Sequence, residues 1–315
     1  MKKLYLVLFL ILLIALAGCA SKKKQETSLG AFIGGTDGMS FQFVEEEPPL
    51  TILDNSNQPF FITLQFKNEG EYSIKENDIL TTLSGISYES FSISKASQRN
   101  QNGLDKGYLN KQTGEIVEGA TDQISYEADY KEDLAYDLPF TISANVCYAY
   151  QTQAVAQLCL SKQPTRRPQK TDVCVVTEEK EIGNSGAPVQ ITSFSERAAG
   201  QNEVSVTFKI ENKNAGETYN PNFINNIDDC VSDEREKNKV YLKVSSEQAI
   251  DINCPKLGGG KEGEVRLIND QTTITCNIDT QGLAEATPFA GAMDILIDYT
   301  YKDNIATDLT VENAL

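Results

Sequence analysis

The chain has 315 residues with 45 acidic and 28 basic side chains, a formal net charge of −17, and neither histidine nor tryptophan. Without histidine there is no Ser-His-Asp or Cys-His catalysis, no histidine metal site and no near-neutral imidazole proton shuttle. A polyanion with no basic stripe repels nucleic-acid phosphates, so nucleic acid is excluded as a partner.

The first stretch is Met1 to Cys19. Lys2 and Lys3 precede an unbroken apolar run from Leu4 to Ala17, followed by Gly18 and Cys19. A charged start, a short apolar stretch and small residues at its end make a secretory signal. The run is short for crossing a hydrocarbon core. Leu16-Ala17-Gly18-Cys19 resembles the lipobox of prokaryotic lipoproteins, which implies cleavage after residue 18 and lipidation of Cys19. The alternatives are an uncleaved signal anchor or a cut elsewhere. Two acyl chains hold a protein on a membrane stably where one does not. Residues 19–29, with Lys22-Lys23-Lys24, then form a tether, and the membrane is a partner through the anchor. Loss of residues 1–18 removes Lys2 and Lys3 and leaves the mature chain at −19.

Residues 30–162 read as a first β domain. Met39 to Val44 alternates and stops at Glu45-Glu46-Glu47-Pro48-Pro49, since proline cannot donate to a ladder. The glycines from Gly30 to Gly38 are no phosphate cradle, because no Gly-Lys-Ser/Thr follows. Phe60 to Asn68 is the clearest strand, with Ile62, Leu64 and Phe66 on one face and a turn at Asn68-Glu69-Gly70. Shorter strands are expected at 78–83 and 86–93. Residues 97–119 are polar and read as a surface excursion with a hairpin near Thr113-Gly114. Residues 122–130 alternate again. Phe140 to Tyr150 is expected to pair with Ala154 to Leu160 as a hairpin turning at Gln151-Thr152-Gln153.

Residues 163–172 carry prolines and basic residues with almost nothing apolar, and read as a linker. Residues 173–315 then repeat the plan. Glu203 to Asn212 matches Phe61 to Asn68, Ile274 to Asp279 matches Ile124 to Tyr130, and Tyr299-Thr300-Tyr301 matches Tyr148-Ala149-Tyr150. The offsets rise from about 142 to about 151 residues along the chain, as loop insertions in a tandem duplication produce. No stretch sustains a capped helical period. The fold class is therefore all-β, two antiparallel β-sandwiches joined by a linker that predicts a small interface between them.

The repeated strand with its asparagine turn, Phe32-Ile33-Gly34-Gly35-Thr36-Asp37-Gly38, and Cys147-Tyr148-Ala149-Tyr150 together resemble the immunoglobulin-like modules of archaeal and bacterial surface proteins. The likeness is greatest to exported cell-surface proteins of archaea. It covers most of residues 30–315, its motifs are structural, and it implies a fold and a cell-envelope location but no catalytic residue.

Setting Cys19 aside leaves Cys147, Cys159, Cys174, Cys230, Cys254 and Cys276, an even set in an exported chain and hence three disulfides, with free buried thiols as the alternative. Cys147 with Cys159 across the expected hairpin, Cys254 with Cys276 on neighbouring strands, and Cys174 with Cys230 is the expected pairing. No Cys-x-x-Cys knuckle is present, and no zinc site is read. The acidic clusters Glu45-Glu46-Glu47, Asp228-Asp229 and Asp233-Glu234 lack the Asp-x-Asp-x-Asp-Gly order of a calcium loop and read as solvated charge. Gly-x-Ser-x-Gly is absent. Tyr126, Tyr130, Tyr148, Tyr150, Tyr299 and Tyr301 read as core residues with their hydroxyls at the rim, against a rival role as an exposed recognition surface. The functional reading is a non-enzymatic, cofactor-free structural or protein-binding module of the cell envelope, with an envelope protein as partner. The alternatives are an accessory subunit of an envelope transport or secretion machine, and an envelope hydrolase working through carboxylates.

Overall fold

The computed structural model describes residues 32–314 apart from 249 and 285. The signal peptide, Cys19 and the tether lie outside the described residues. The first half contains β1 (Met39–Phe43), β2 (Thr51–Leu53), β3 (Phe60–Asn68), β4 (Ile79–Ser84), β5 (Ser97–Arg99), β6 (Tyr108–Leu109), β7 (Ile116–Val117), β8 (Thr121–Ala128) and β9 (Leu138–Leu160). The second contains β10 (Glu178–Glu179), β11 (Ile182–Asn184), β12 (Val189–Gly200), β13 (Glu203–Asn212), β14 (Glu217–Tyr219), β15 (Lys239–Ser245), β16 (Asp251–Asn253), β17 (Glu262–Arg266), β18 (Gln271–Asp279) and β19 (Phe289–Glu312). Only two 3₁₀ turns interrupt the strands among the described residues. The chain is all-β, and its sheets are antiparallel except where β2 meets β19 in parallel.

The organising element is one nine-stranded sheet whose path runs β17-β15-β19-β9-β4-β5. Its centre is the pairing of β9 with β19, continuous from Leu138 opposite Val311 to Leu160 opposite Phe289. Two smaller sheets, β1-β3-β8 and β10-β12-β13-β18-β16, pack on it. Tyr126 on β8 donates to the Thr81 carbonyl on β4, and Thr152 on β9 donates to the Val189 carbonyl on β12. Even-numbered residues of β9 from Ile142 to Leu160 are almost all buried on the face toward these sheets, the period of two that a half-buried strand requires.

The two halves obey a pseudo-two-fold relation at this seam. Tyr148 lies opposite Tyr301, and Tyr150 lies opposite Tyr299, so the matched Tyr-x-Tyr motifs exchange places across the pair. The four rings sit 5.7–6.3 Å apart along the sides of the quartet. All four tyrosines are buried, which is the core role. The asparagine that ends each matched strand does the same work twice. Asn68 Nδ2 donates to Tyr72 O and Asn212 Nδ2 to Gly216 O, each at 2.7 Å, while Tyr150 Oη and Tyr301 Oη donate to Asn68 Oδ1 and Asn212 Oδ1. Thr63 with Ser125 and Thr207 with Thr275 form corresponding hydroxyl pairs on the outer faces. Gly70 is a glycine because a β-carbon there collides with the Tyr150 hydroxyl and the Gly186 carbonyl.

Two expectations fail here for a common reason. Gln151-Thr152-Gln153 is no turn: β9 runs straight through it as a 23-residue strand. None of these residues favours a turn conformation, and Thr152 is fully buried with its hydroxyl bonded. The interface between the halves is accordingly a full-length strand pair with a shared core, where the linker composition predicted a small contact. Residues 163–172 do form a strandless loop, tied by Arg166 to Asp172 at 2.6 Å. Residues 86–93 are turns, not a strand. Phe91 and Ile93 are buried there, and Ser92 adopts a left-handed φ of 53°. The excursion at 97–119 does carry its hairpin, β6 with β7, turning at Thr113-Gly114.

Candidate functional site

The three disulfides are Cys147–Cys230, Cys159–Cys174 and Cys254–Cys276. Only the last was the expected pair. Cys147 and Cys159 stand on the same face of one straight strand. Twelve residues at about 3.3 Å each put them about 40 Å apart, far beyond disulfide reach. Cys159 instead closes the linker loop onto Cys174, and Cys147 is left for Cys230. That bond carries the second half onto the first. Residues 220–230 lie over the outer face of β4, β5 and β9, where Tyr219, Phe223, Ile224 and Cys230 cluster with Leu80 and Cys147. Arg99 Nη2 donates to the carbonyls of Ile224 and Ile227, both at 2.8 Å, and Cys230 N donates to Thr82 Oγ1. Three disulfides in one chain belong to an oxidising, extracytoplasmic compartment.

Lys180 and Glu196 form a buried ionisable pair. Glu196 points from β12 into the core, where an apolar side chain is the rule. Its carboxylate accepts from Cys159 N–H at 3.0 and 3.2 Å and lies 3.4 Å from Lys180 Nζ. The reason is an accounting one: β11 pairs β9 only at Ala154–Ala156, so the edge amide of Cys159 needs an acceptor, and Glu196 supplies it. Lys180 also reaches the Val175 carbonyl and Glu178. Burial pushes the Glu196 carboxyl up to about 7, against the pull of Lys180 and the Cys159 amide. A folded value above the unfolded one stabilises the protein below the unfolded value, and the contribution is lost as pH rises through the folded one. Between about pH 4.5 and about 7 the chain should therefore lose up to about 3 kcal/mol through this group. Chemical denaturation of the native chain and of Glu196→Gln at pH 4.5, 6 and 8 checks this. The variant should lack that part of the decline; an identical pH profile in both chains would refute it.

A surface groove of about 420 Å³ lies at one end of the second small sheet. Adjacent strands place Glu203, Asp279 and Asp251 in one row and Ser205, Asn277 and Asn253 in the next row on that face. The Gln201-Asn202 turn closes its end. Sequence reading did not single it out, because its members come from three strands separated by up to 76 residues and share no local pattern. Among the described residues, no group of three His, Cys, Asp or Glu side chains is arranged to hold a metal ion. The acidic clusters picked from the sequence do not converge either. Glu45 and Glu46 are exposed, Asp233 pairs with Arg235, and Glu234 is 3.9 Å from Lys237. No helix among the described residues is long and apolar enough to cross a membrane.

No protein-family model matches the chain, and no curated protein does. Among solved structures, the envelope protein VP37 of White Spot Syndrome Virus is 11% identical, with 49% of this chain and 98% of that chain covered, at a TM-score of 0.23. The secreted serine protease VesC of Vibrio cholerae is 11% identical over 83% of this chain and 50% of that one, at 0.18. The CupB6 tip adhesin of Pseudomonas aeruginosa is 10% identical over 87% and 98%, also at 0.18. Likenesses at these scores carry no argument about what this chain does.

Proposed function

We propose that this chain is a lipid-anchored protein of the cell envelope that works by binding another envelope protein, with no catalytic turnover. The observation that carries the reading is the seam. A full-length strand pair, a shared core and the Cys147–Cys230 bond lock the halves into one stiff body, and the chain's length is spent on displayed sheet surface. The lipobox supports anchoring through Cys19, and its likeness to exported lipoproteins of archaea and bacteria supports an extracytoplasmic face. The absence of histidine from the sequence supports binding over turnover.

Crosslinking in intact cells with the tagged native chain tests this, beside the Cys19→Ser variant. The native chain should fractionate with membranes, carry a lipid adduct on an N-terminal Cys19 by mass spectrometry, and yield one specific envelope partner. Cys19→Ser should leave the membrane fraction. An unmodified Cys19, or turnover of an envelope polymer that a single Asp or Glu substitution stops, would overturn the reading.

A further inference from the structure

The corresponding edges of the two small sheets are finished differently. β1 and β12 hold the same place in the two halves: Met39 is opposite Asn68 as Val189 is opposite Asn212. Val44 N donates to Thr63 O at 2.9 Å and Glu69 N to Gly38 O at 3.0 Å. By the alternation of an antiparallel ladder, the backbone groups of Ser40 and Gln42 then face β3, and those of Met39, Phe41 and Phe43 face away from it.

On β12 the matching outward groups of Ile191 and the Phe194 carbonyl are taken. The Asn184 side chain donates to Ile191 O at 3.0 Å and accepts from Ile191 N–H at 2.9 Å, a bidentate imitation of a neighbouring strand. Lys180 N donates to Phe194 O at 2.8 Å, and β10 pairs with Ser195 and Glu196. On β1 nothing plays this part. Among the described residues, no backbone group or side chain bonds the outward N–H and C=O groups of Met39, Phe41 and Phe43. On the opposite edge of the same sheet, Gln98 Nε2 donates to the outward Ser125 O on β8 at 3.0 Å.

We infer that the free edge of β1 is where this chain takes its partner, as an added strand formed by an extended segment of an envelope protein with alternating apolar side chains and Lys or Arg at its ends. An unpaired edge offers main-chain hydrogen bonds to such a segment. Phe41 and Phe43 are half-buried beside it and supply apolar surface for alternate side chains. Asp37 precedes the strand, and Glu45-Glu46-Glu47 follows it. Those carboxylates select a basic-ended segment. They also disfavour a second copy of this chain: two antiparallel β1 strands centred on Phe41 would set Glu45 against Asp37 at each end, a like-charge pairing that destabilises a ladder.

The inference rests on the reading that the chain works by binding a protein, and its test separates the two. The full chain in detergent is mixed with the synthetic peptide Lys-Lys-Val-Thr-Val-Thr-Val-Lys-Lys and followed by hydrogen exchange and fluorescence anisotropy. The amides of Met39, Phe41 and Phe43 should exchange at least ~10-fold slower at saturation. N-methylation of the peptide on its paired edge should weaken binding by ~10-fold or more, the loss of about 1.4 kcal/mol or more. Glu45→Lys, an exposed change, should weaken it several-fold and flatten its salt dependence. Equal binding of the N-methylated peptide, protection at β8 or β5 in place of β1, no protection at millimolar peptide, or a peptide-free dimer protecting the same amides would each overturn the inference. An envelope partner that still crosslinks to Glu45→Lys, with no peptide binding at β1, leaves the binding reading standing and removes the edge. Peptide capture at β1 with no envelope partner does the reverse.

Discussion

Neither half of this chain should fold alone. Residues 30–162 expressed by themselves keep β9 paired with β4 over Ser143–Tyr148 but lose its whole pairing with β19, and so leave Tyr150 and the apolar row to Leu160 without that neighbour. Residues 173–315 keep β19 paired with β15 and β14 on one side and lose β9 from the other, so that Met293, Ile295, Ile297, Tyr299 and Tyr301 lose their neighbours across the seam. Each such side chain contributes about 1.5–3 kcal/mol by burial. Losing several of them exceeds the roughly 5–15 kcal/mol by which a domain is stable. Each fragment alone should show no cooperative unfolding, and mixing the two should restore the native circular dichroism spectrum and one transition. Trypsin offers a second readout. After cleavage between Arg166 and Arg167, the nicked and reduced protein should still elute as one species and separate only in denaturant. Two fragments, each melting cooperatively alone, would show that the seam is dispensable.

Removing the Cys147–Cys230 bond should cost more than removing either of the others. It closes 83 residues, against 15 for Cys159–Cys174 and 22 for Cys254–Cys276. On the chain-entropy account, loops of these lengths correspond to about 4.5 kcal/mol for the first and about 3 kcal/mol for each of the shorter two. The long bond also pins the 220–230 segment over β4 and β5, so its loss releases the Arg99 contacts with it. Cys147→Ala with Cys230→Ala should therefore lower the melting temperature by roughly 10 °C, at about 2–4 °C per kcal/mol for a chain of this size. Thermal unfolding of the three double-alanine variants side by side is the measurement. A Cys147/Cys230 variant no less stable than the Cys159/Cys174 one would mean that strain or residual structure dominates over loop closure.

What the sequence by itself determined is local. The two-residue alternation of Phe60–Asn68, Glu203–Asn212 and Ile274–Asp279 is written in side chains a few positions apart, and it specified strands and their buried faces. The turn at Thr113-Gly114 was legible for the same reason. The repeated Asn turns and Tyr-x-Tyr pairs were legible because duplication preserves spacing. The Cys254–Cys276 pair was within reach because Cys254 directly follows β16, which neighbours the strand of Cys276 in one sheet. Tertiary structure alone decided the rest. Whether Gln151-Thr152-Gln153 turned or ran on depended on Val189 and Tyr299 meeting Thr152 from 37 and 147 residues away. Once β9 ran straight, Cys147 and Cys159 were held too far apart to bond, and Cys174 and Cys230 became their separate partners. The same holds at the edges. β1 and β12 match in register, but only the fold shows that Asn184 and Lys180 close one edge and that nothing among the described residues closes the other. The reason is physical: alternation encodes which face of a strand is buried, whereas a strand's lateral neighbours are chosen by backbone hydrogen bonds, which carry no side-chain signature.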